Sequence, residues 1–244
     1  MQRPTGWLAG VMAAALGLVV FGSPPQASAT LILALQEDGG AITPVASGAS
    51  FSPVTASGIF GNYSFNFFSA IAMDGVGGSN LLSATTQISS LSADTHTLNL
   101  YVSNQDYTRP AGSPLIVTSG MGGTYGAEPG FLGAATFQMW ADAANGLLTT
   151  AGTFTNGLQI ADPASGNAMA FSTGIDPTGT FTRGDGSYSV TDRTSFTTTG
   201  FGDVNYATDV RLAAAPVPEP STLLLLGSGL VGVGGMVWRR HRRG

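Results

Sequence analysis

Thr95-His96-Thr97-Leu98-Asn99-Leu100-Tyr101-Val102-Ser103 alternates in strict period two, with Leu98, Leu100 and Val102 on one face and Thr97, Asn99, Tyr101 and Ser103 on the other. Side chains alternate across a strand but return roughly every 3.6 residues on a helix, so this spacing suits a half-buried β-strand. Nine further runs of similar texture follow at 58–73, 81–89, 115–119, 134–141, 168–173, 179–182, 187–190, 193–198 and 203–212, separated by Gly, Ser, Asn and Asp. No window of comparable length carries helical periodicity. The expected fold is therefore all-β, an antiparallel β-sandwich of about eight to ten short strands. Gly184-Asp185-Gly186, between Phe181 and Tyr188, is the expected hairpin turn, because its glycines reach positive φ without penalty. The Gly/Ser-rich stretches 39–57 and 120–130 are expected loops, and no fixed-period repeat points to a propeller or solenoid.

Only 9% of the 244 residues are charged, where soluble domains average about 25%, while 43% hydrophobic content suffices for a core. The chain has no cysteine and no lysine. Disulfides, thiolate metal sites, cysteine nucleophiles, Schiff-base amines and lysine-primed phosphate loops are thereby excluded. Residues 30–215 hold thirteen acids against four arginines, a net charge of −9. Such a surface disfavours nucleic acid and anionic lipid as partners and favours solubility and calcium.

Both ends of the chain differ from this middle. Arg3, an apolar run of 15 residues from Trp7 to Phe21, the breaker Ser23-Pro24-Pro25 and the small-residue site Ala27-Ser28-Ala29 form a secretory signal peptide over 1–29, with Thr30 as the mature start. After a short tether at 213–216 come Val217-Pro218-Glu219-Pro220-Ser221-Thr222, an apolar stretch from Thr222 to Trp238, and the basic tail 239–244 with Arg239, Arg240, Arg242 and Arg243. As a helix those 17 residues span roughly 25 Å, enough to cross a locally thinned bilayer. The arginines act as a stop-transfer cluster that holds this end in the cytoplasm and leaves 30–212, the exported sandwich domain, outside. Five glycines inside the span weaken it as a permanent anchor and let another membrane protein approach its backbone. Pro218 and Pro220 keep the triplet extended and out of the helix, where a protease can reach it.

The order of these features resembles the PEP-CTERM sorting signal of bacterial exported proteins, over about 28 residues from 217 to the end. The resemblance implies a bacterium that makes extracellular polysaccharide. It also implies processing by an exosortase, a membrane transpeptidase with a cysteine nucleophile, which recognises Pro218, Glu219 and Pro220 and removes the tail near them. The partners it implies are the secretion machinery, exosortase, the membrane until processing, and extracellular polysaccharide. The destination it implies is the cell surface or matrix.

Within the middle, candidate sites are few. His96 is the sole histidine between 30 and 215, so a serine-histidine-acid triad would have to use it, with Asp94 or Asp106 as the acid. No Gly-x-Ser-x-Gly elbow accompanies it, and a surface histidine is expected instead. Glycosidase chemistry would rest on Glu37 and Glu128, both in glycine-flanked contexts. Asp203-x-Asn205 with Asp209, or Asp185 with Asp192, offers hard oxygens to calcium, without the spacing of a helix-loop-helix site. Arg183-Gly184-Asp185 matches an adhesion tripeptide but is expected to serve as a turn. Asn62-Tyr63-Ser64 fits a glycosylation acceptor inside an aromatic strand, where burial is expected. Trp140 and Tyr101 are expected core aromatics that would otherwise build a sugar-stacking platform.

The expected protein is an exported, non-enzymatic structural or adhesive sandwich with no catalytic residue, metal or obligate cofactor. The alternatives are a carbohydrate-binding module of the same shape and, behind it, a secreted hydrolase.

Overall fold

The computed structural model describes residues 30–50, 52–126, 131–163, 170–174 and 176–215. The signal peptide with Ala27 and Ala29, Glu128, and the tail with Val217, Pro218, Glu219, Pro220 and its arginines lie outside the described residues.

Everything regular among the described residues is strand. In chain order these are β1 (Thr30–Glu37), β2 (Thr43–Ala49), β3 (Val54–Phe60), β4 (Tyr63–Gly75), β5 (Gly78–Ser90), β6 (Thr95–Tyr107) and β7 (Leu115–Gly126). They continue with β8 (Leu132–Asp142), β9 (Phe154–Thr155), β10 (Gln159–Pro163), β11 (Ala170–Ser172), β12 (Asp176–Phe181), β13 (Tyr188–Thr199) and β14 (Gly202–Ala214). All pairings among them are antiparallel. One sheet runs β2-β1-β6-β13-β8 and the other β11-β7-β14-β5-β4-β3. Strand β10 links them, pairing first with β8 and then with β11.

The inward faces follow the period-two rule. Leu98, Leu100 and Val102 of β6 are fully buried, beside Leu33 and Leu35 of β1 and facing Tyr63, Phe65 and Phe68 of β4 and Val204, Val210 and Leu212 of β14. Phe196 of β13 packs edge-on to Phe171, centroids 5.7 Å apart, and against Tyr206 at 5.4 Å. The sheets are also tied by polar groups: Tyr63 Oη lies 3.0 Å from Thr198 Oγ1, and Tyr107 Oη donates to the Asn80 carbonyl at 3.0 Å.

A carboxyl group is almost fully enclosed in this interior. Asp192 of β13 is 1% exposed and points across to β14, where Thr208 Oγ1 donates to its Oδ2 at 3.3 Å. Ser83 stands 2.8 Å behind Thr208. Asp192 Oδ1 and the hydroxyls of Tyr206, Thr194 and Thr85 are buried without a hydrogen-bond partner among the described residues. Burial pushes the Asp192 carboxyl up to about 8, against the pull of the Thr208 hydroxyl.

Several local expectations are corrected. There are fourteen strands among the described residues, more than the eight to ten expected, because the supposed loop at 39–57 contains β2 and β3 and the supposed loop at 120–130 is largely β7. The tether begins later than expected, since Ala213 and Ala214 still pair with β7. Gly184-Asp185-Gly186 closes no hairpin: β12 before it pairs with β7, β13 after it pairs with β6 and β8, and the turn carries the chain between sheets. Hairpin chemistry appears elsewhere. Asp38 and Gly39, at φ 48° and 72°, form the centre of a turn closed by Gly40 N donating to Glu37 O at 2.8 Å. Positive φ at both central residues is what a type I′ turn requires. Gly61, at φ 55°, opens the two-residue turn between β3 and β4.

The outward face of β6 is also less exposed than its alternation implies. Tyr101 is 3% exposed and Ser103 fully buried. The segment after β8 folds over Ser103 and its neighbour, with Leu148 N donating to Ser103 Oγ at 2.9 Å and Ser189 Oγ donating to the Gly146 carbonyl at 2.6 Å.

Candidate functional site

Three turns meet at one end of the sandwich: the β1–β2 turn at 37–40, the β3–β4 turn at 61–62 and the β5–β6 connection at 91–94. Backbone bonds hold them together, Asp38 N donating to Thr97 O at 2.9 Å and Leu91 N to Asn62 O at 2.8 Å. Pairing of Glu37 with Leu98 brings the end of β1 beside the start of β6, so residues 58 positions apart become neighbours.

His96 stands at the mouth between the sheets, on the same side of β6 as Leu98, with its side chain 20% exposed. It is half-buried rather than a plain surface histidine. Its Nδ1 lies 2.7 Å from Asp38 Oδ2 and 3.9 Å from Glu37 Oε1, and its Nε2 lies 3.2 Å from Ser92 Oγ. Asp38 Oδ1 accepts the Thr97 amide at 2.7 Å. Glu37 Oε1 accepts both the backbone amide and Nδ2 of Asn62, each at 3.0 Å. The hydrogen bond to Asp38 raises the imidazole above its ordinary value, and the same bond, with the Thr97 amide, lowers the Asp38 carboxyl. Behind them, burial pushes the Tyr63 hydroxyl up to about 12.

The acid beside His96 is therefore Asp38, neither Asp94 nor Asp106. Asp106 lies at the opposite end of β6, where its backbone amide donates to Asn145 Oδ1 at 2.9 Å and its Oδ1 accepts from Asn145 Nδ2 at 2.6 Å. Ser92-His96-Asp38 has the order of a serine-histidine-acid chain, but two features weaken it as a nucleophile. The Asp94 amide donates to Ser92 Oγ at 3.1 Å, closing a local turn, and the Asp38 side chain is 49% exposed, unlike the buried acid that orients a catalytic imidazole.

The other candidates resolve into structural roles. Asp203, Asn205 and Asp209 point outward from one extended strand, so the first and last are roughly 20 Å apart and form no single calcium site. Asp203 accepts Ser89 Oγ at 2.5 Å, Asn205 accepts from Thr124, and Asp209 pairs with Arg211 at 3.1 Å. Asp192 is in the core while Asp185 is in an exposed turn, which separates the second calcium pair. Arg183 turns inward, donating to the carbonyls of Thr108 at 2.6 Å and Pro110 at 2.9 Å, with its guanidinium over the Tyr188 ring, so the tripeptide does not display it. Trp140 is 6% exposed under the Arg193 guanidinium, and the Tyr101 hydroxyl donates to Gln36 at 2.8 Å. Asn62 is half-buried and engaged with Glu37.

The outer face of the β1-β6-β13-β8 sheet carries registered polar rows. Gln36, Asn99, Ser195 and Thr136 stand opposite one another in sequence across the four strands. Thr97 pairs with Thr197 at 2.9 Å and Thr95 with Thr199 at 2.8 Å.

At the other end of the molecule, β14 finishes with Ala214 beside Leu115. No curated protein matches the chain. The profile of the PEP-CTERM protein-sorting motif matches residues 216–243, beginning two residues after β14 ends. Residues 216–243 thus carry a PEP-CTERM sorting motif, a signal that implies export and membrane anchoring before processing by an exosortase.

Proposed function

We propose that the sandwich is a non-enzymatic structural or adhesive component of the cell surface or extracellular matrix, released there when exosortase cleaves near Pro218, Glu219 and Pro220. Before cleavage the arginine cluster at 239–243 keeps the tail's end in the cytoplasm. The observation that carries the adhesive role is the polar face formed by Gln36, Asn99, Ser195 and Thr136 with the Thr97–Thr197 and Thr95–Thr199 pairs. Its hydroxyls and amides recur at the strand spacing of about 4.8 Å, and such a lattice can exchange hydrogen bonds with a polyhydroxylated chain without stacking aromatics.

The same face supports the carbohydrate-binding alternative, which differs in requiring one defined sugar sequence. Protein recovered from the growth medium is expected to be retained by the organism's own extracellular polysaccharide, with retention reduced severalfold in a Thr97→Val/Thr197→Val variant that still folds. A flat binding curve, or equal retention by the variant, would remove the adhesive role. The hydrolase alternative rests on Ser92 and His96. The expected result is no labelling by a fluorophosphonate probe, and labelling abolished by Ser92→Ala would establish an enzyme instead.

A further inference from the structure

We propose that Glu37, Asp38 and His96 form a binding site for a divalent transition-metal ion of the zinc class, at the tip of the sandwich opposite the end of β14. Glu37 Oε1, Asp38 Oδ2 and His96 Nδ1 lie within 4.8 Å of one another, at the mouth where β1 and β6 meet the β3–β4 turn. Donors on a tetrahedral zinc ion, at bond lengths of about 2.0–2.1 Å, stand about 3.3 Å apart. The observed separations from Nδ1, 2.7 Å and 3.9 Å, bracket that value.

Each donor is placed by a different part of the fold. The Asp38 carboxylate is fixed through its other oxygen by the Thr97 amide, which leaves Oδ2 facing the imidazole. Glu37 is steered by Asn62 and by the absence of a side chain at Gly61, where a Cβ would overlap the carboxylate. Ser92 Oγ lies 3.2 Å from Nε2, the place of the acceptor that a metal-bound histidine ordinarily has on its second nitrogen; an ion would take the position of the proton that now bridges Nδ1 and Asp38 Oδ2.

The chemistry of the donors selects the ion. One imidazole nitrogen with two carboxylates suits zinc and its neighbours, whereas calcium takes six to eight oxygens. The side chains are 15%, 20% and 49% exposed for Glu37, His96 and Asp38, so at least one coordination position faces solvent. Strand β14, whose 13 residues begin at this tip, puts the site roughly 40 Å from Ala214, where the strand ends.

The test uses the full-length chain in detergent micelles, stripped with chelator, on a His241→Ala background so that His96 is the one histidine present. Calorimetric titration with zinc chloride is expected to show one ion per chain and a raised Tm, with calcium chloride giving neither. His96→Ala and Asp38→Asn are each expected to weaken zinc at least tenfold, and Ser92→Ala by about tenfold at unchanged stoichiometry. Asp203→Asn, at the same end of the molecule, should leave the affinity unchanged. Circular dichroism melts establish that each variant is folded, and Asp38→Asn preserves the shape of the site if His96→Ala does not fold. No zinc isotherm at millimolar concentration, or an affinity indifferent to His96→Ala and Asp38→Asn, would overturn the site.

Discussion

Replacing Asp192 with Asn is expected to make the exported domain more stable at pH 8 by several kcal/mol, on the order of 5, while leaving it nearly unchanged at pH 4. The carboxyl is enclosed between the sheets with one hydroxyl donor on Oδ2 and none on Oδ1 among the described residues, so its neutral form is the one the fold accommodates. Its folded value, about 8, lies above the ordinary 3.8. The folded state then binds the proton more tightly than the unfolded chain, and stability is greatest below pH 4 as far as this group is concerned. Raising the pH from 3.8 to about 8 removes about 1.4 kcal/mol per unit, and beyond 8 the loss is complete. Asn has the shape of the protonated acid, titrates nowhere in this range, and can donate to the unpartnered hydroxyls of Tyr206 and Thr194. Urea midpoints at pH 4, 6 and 8 for both proteins measure the effect. Parallel curves would show that Asp192 stays ionised in the fold.

Gly123→Val is expected to destabilise the sandwich by about 3 kcal/mol, although valine is among the best strand formers. Gly123 lies where β7 is paired on one side with Tyr206 of β14 and on the other with Phe171 of β11. A Cβ there would overlap the Asn205 carbonyl, lie 2.6 Å from the Phe171 ring and stand 3.0 Å from Tyr206 Cα. Because two of those neighbours are backbone, relief requires parting the central β7–β14 pair. Phe171 has no free space to move into either, being packed against Phe196. Gly126→Val, three residues along the same strand with nothing within 4 Å of its Cβ position, is the matched control and should change stability little. Equal urea midpoints for the two variants would contradict this account of the close approach.

Gly123 also explains why part of the fold was hidden in the sequence. Glycine is depleted from strands on average, so 120–130 resembles a loop; in the molecule its missing side chain is what lets three strands converge. The alternation of Leu98, Leu100 and Val102 was legible because each needs only one buried face. The sheet partners of β6 were not, since nothing local in Thr95–Ser103 names β1 and β13. Asp38-Gly39, at the edge of a stretch expected to be a loop, closes the β1–β2 hairpin through its positive φ values. The more symmetrical Gly184-Asp185-Gly186 turned out to join the two sheets. Residues 187–190 and 193–198 belong to one strand, because Thr191 and Asp192 are buried polar residues that interrupt the apolar pattern without interrupting the pairing.

The candidate site was legible only in its central residue. His96 stood out as the sole histidine of the middle region, but Asp94 and Asp106 were nearer in sequence than the acid that meets it. Asp38 reaches it through the β1–β6 pairing, a long-range contact with no local signature. Glu37 was read only as a possible glycosidase carboxylate beside Glu128, and its proximity to His96 follows from the same register. The sorting signal, by contrast, was readable from sequence because it works as a linear address: a proline-fixed triplet, an apolar span and an arginine cluster in fixed order.

The central claim is that the tail is an address removed from an exported domain, and the mass of the protein recovered outside the cell tests it most directly. Intact-mass and C-terminal peptide spectrometry are expected to find a chain beginning at Thr30 and ending near Pro218–Ser221, with Glu219→Ala accumulating as an uncleaved membrane form. Recovery of the chain from the medium or the cell surface still ending at Gly244 would contradict it.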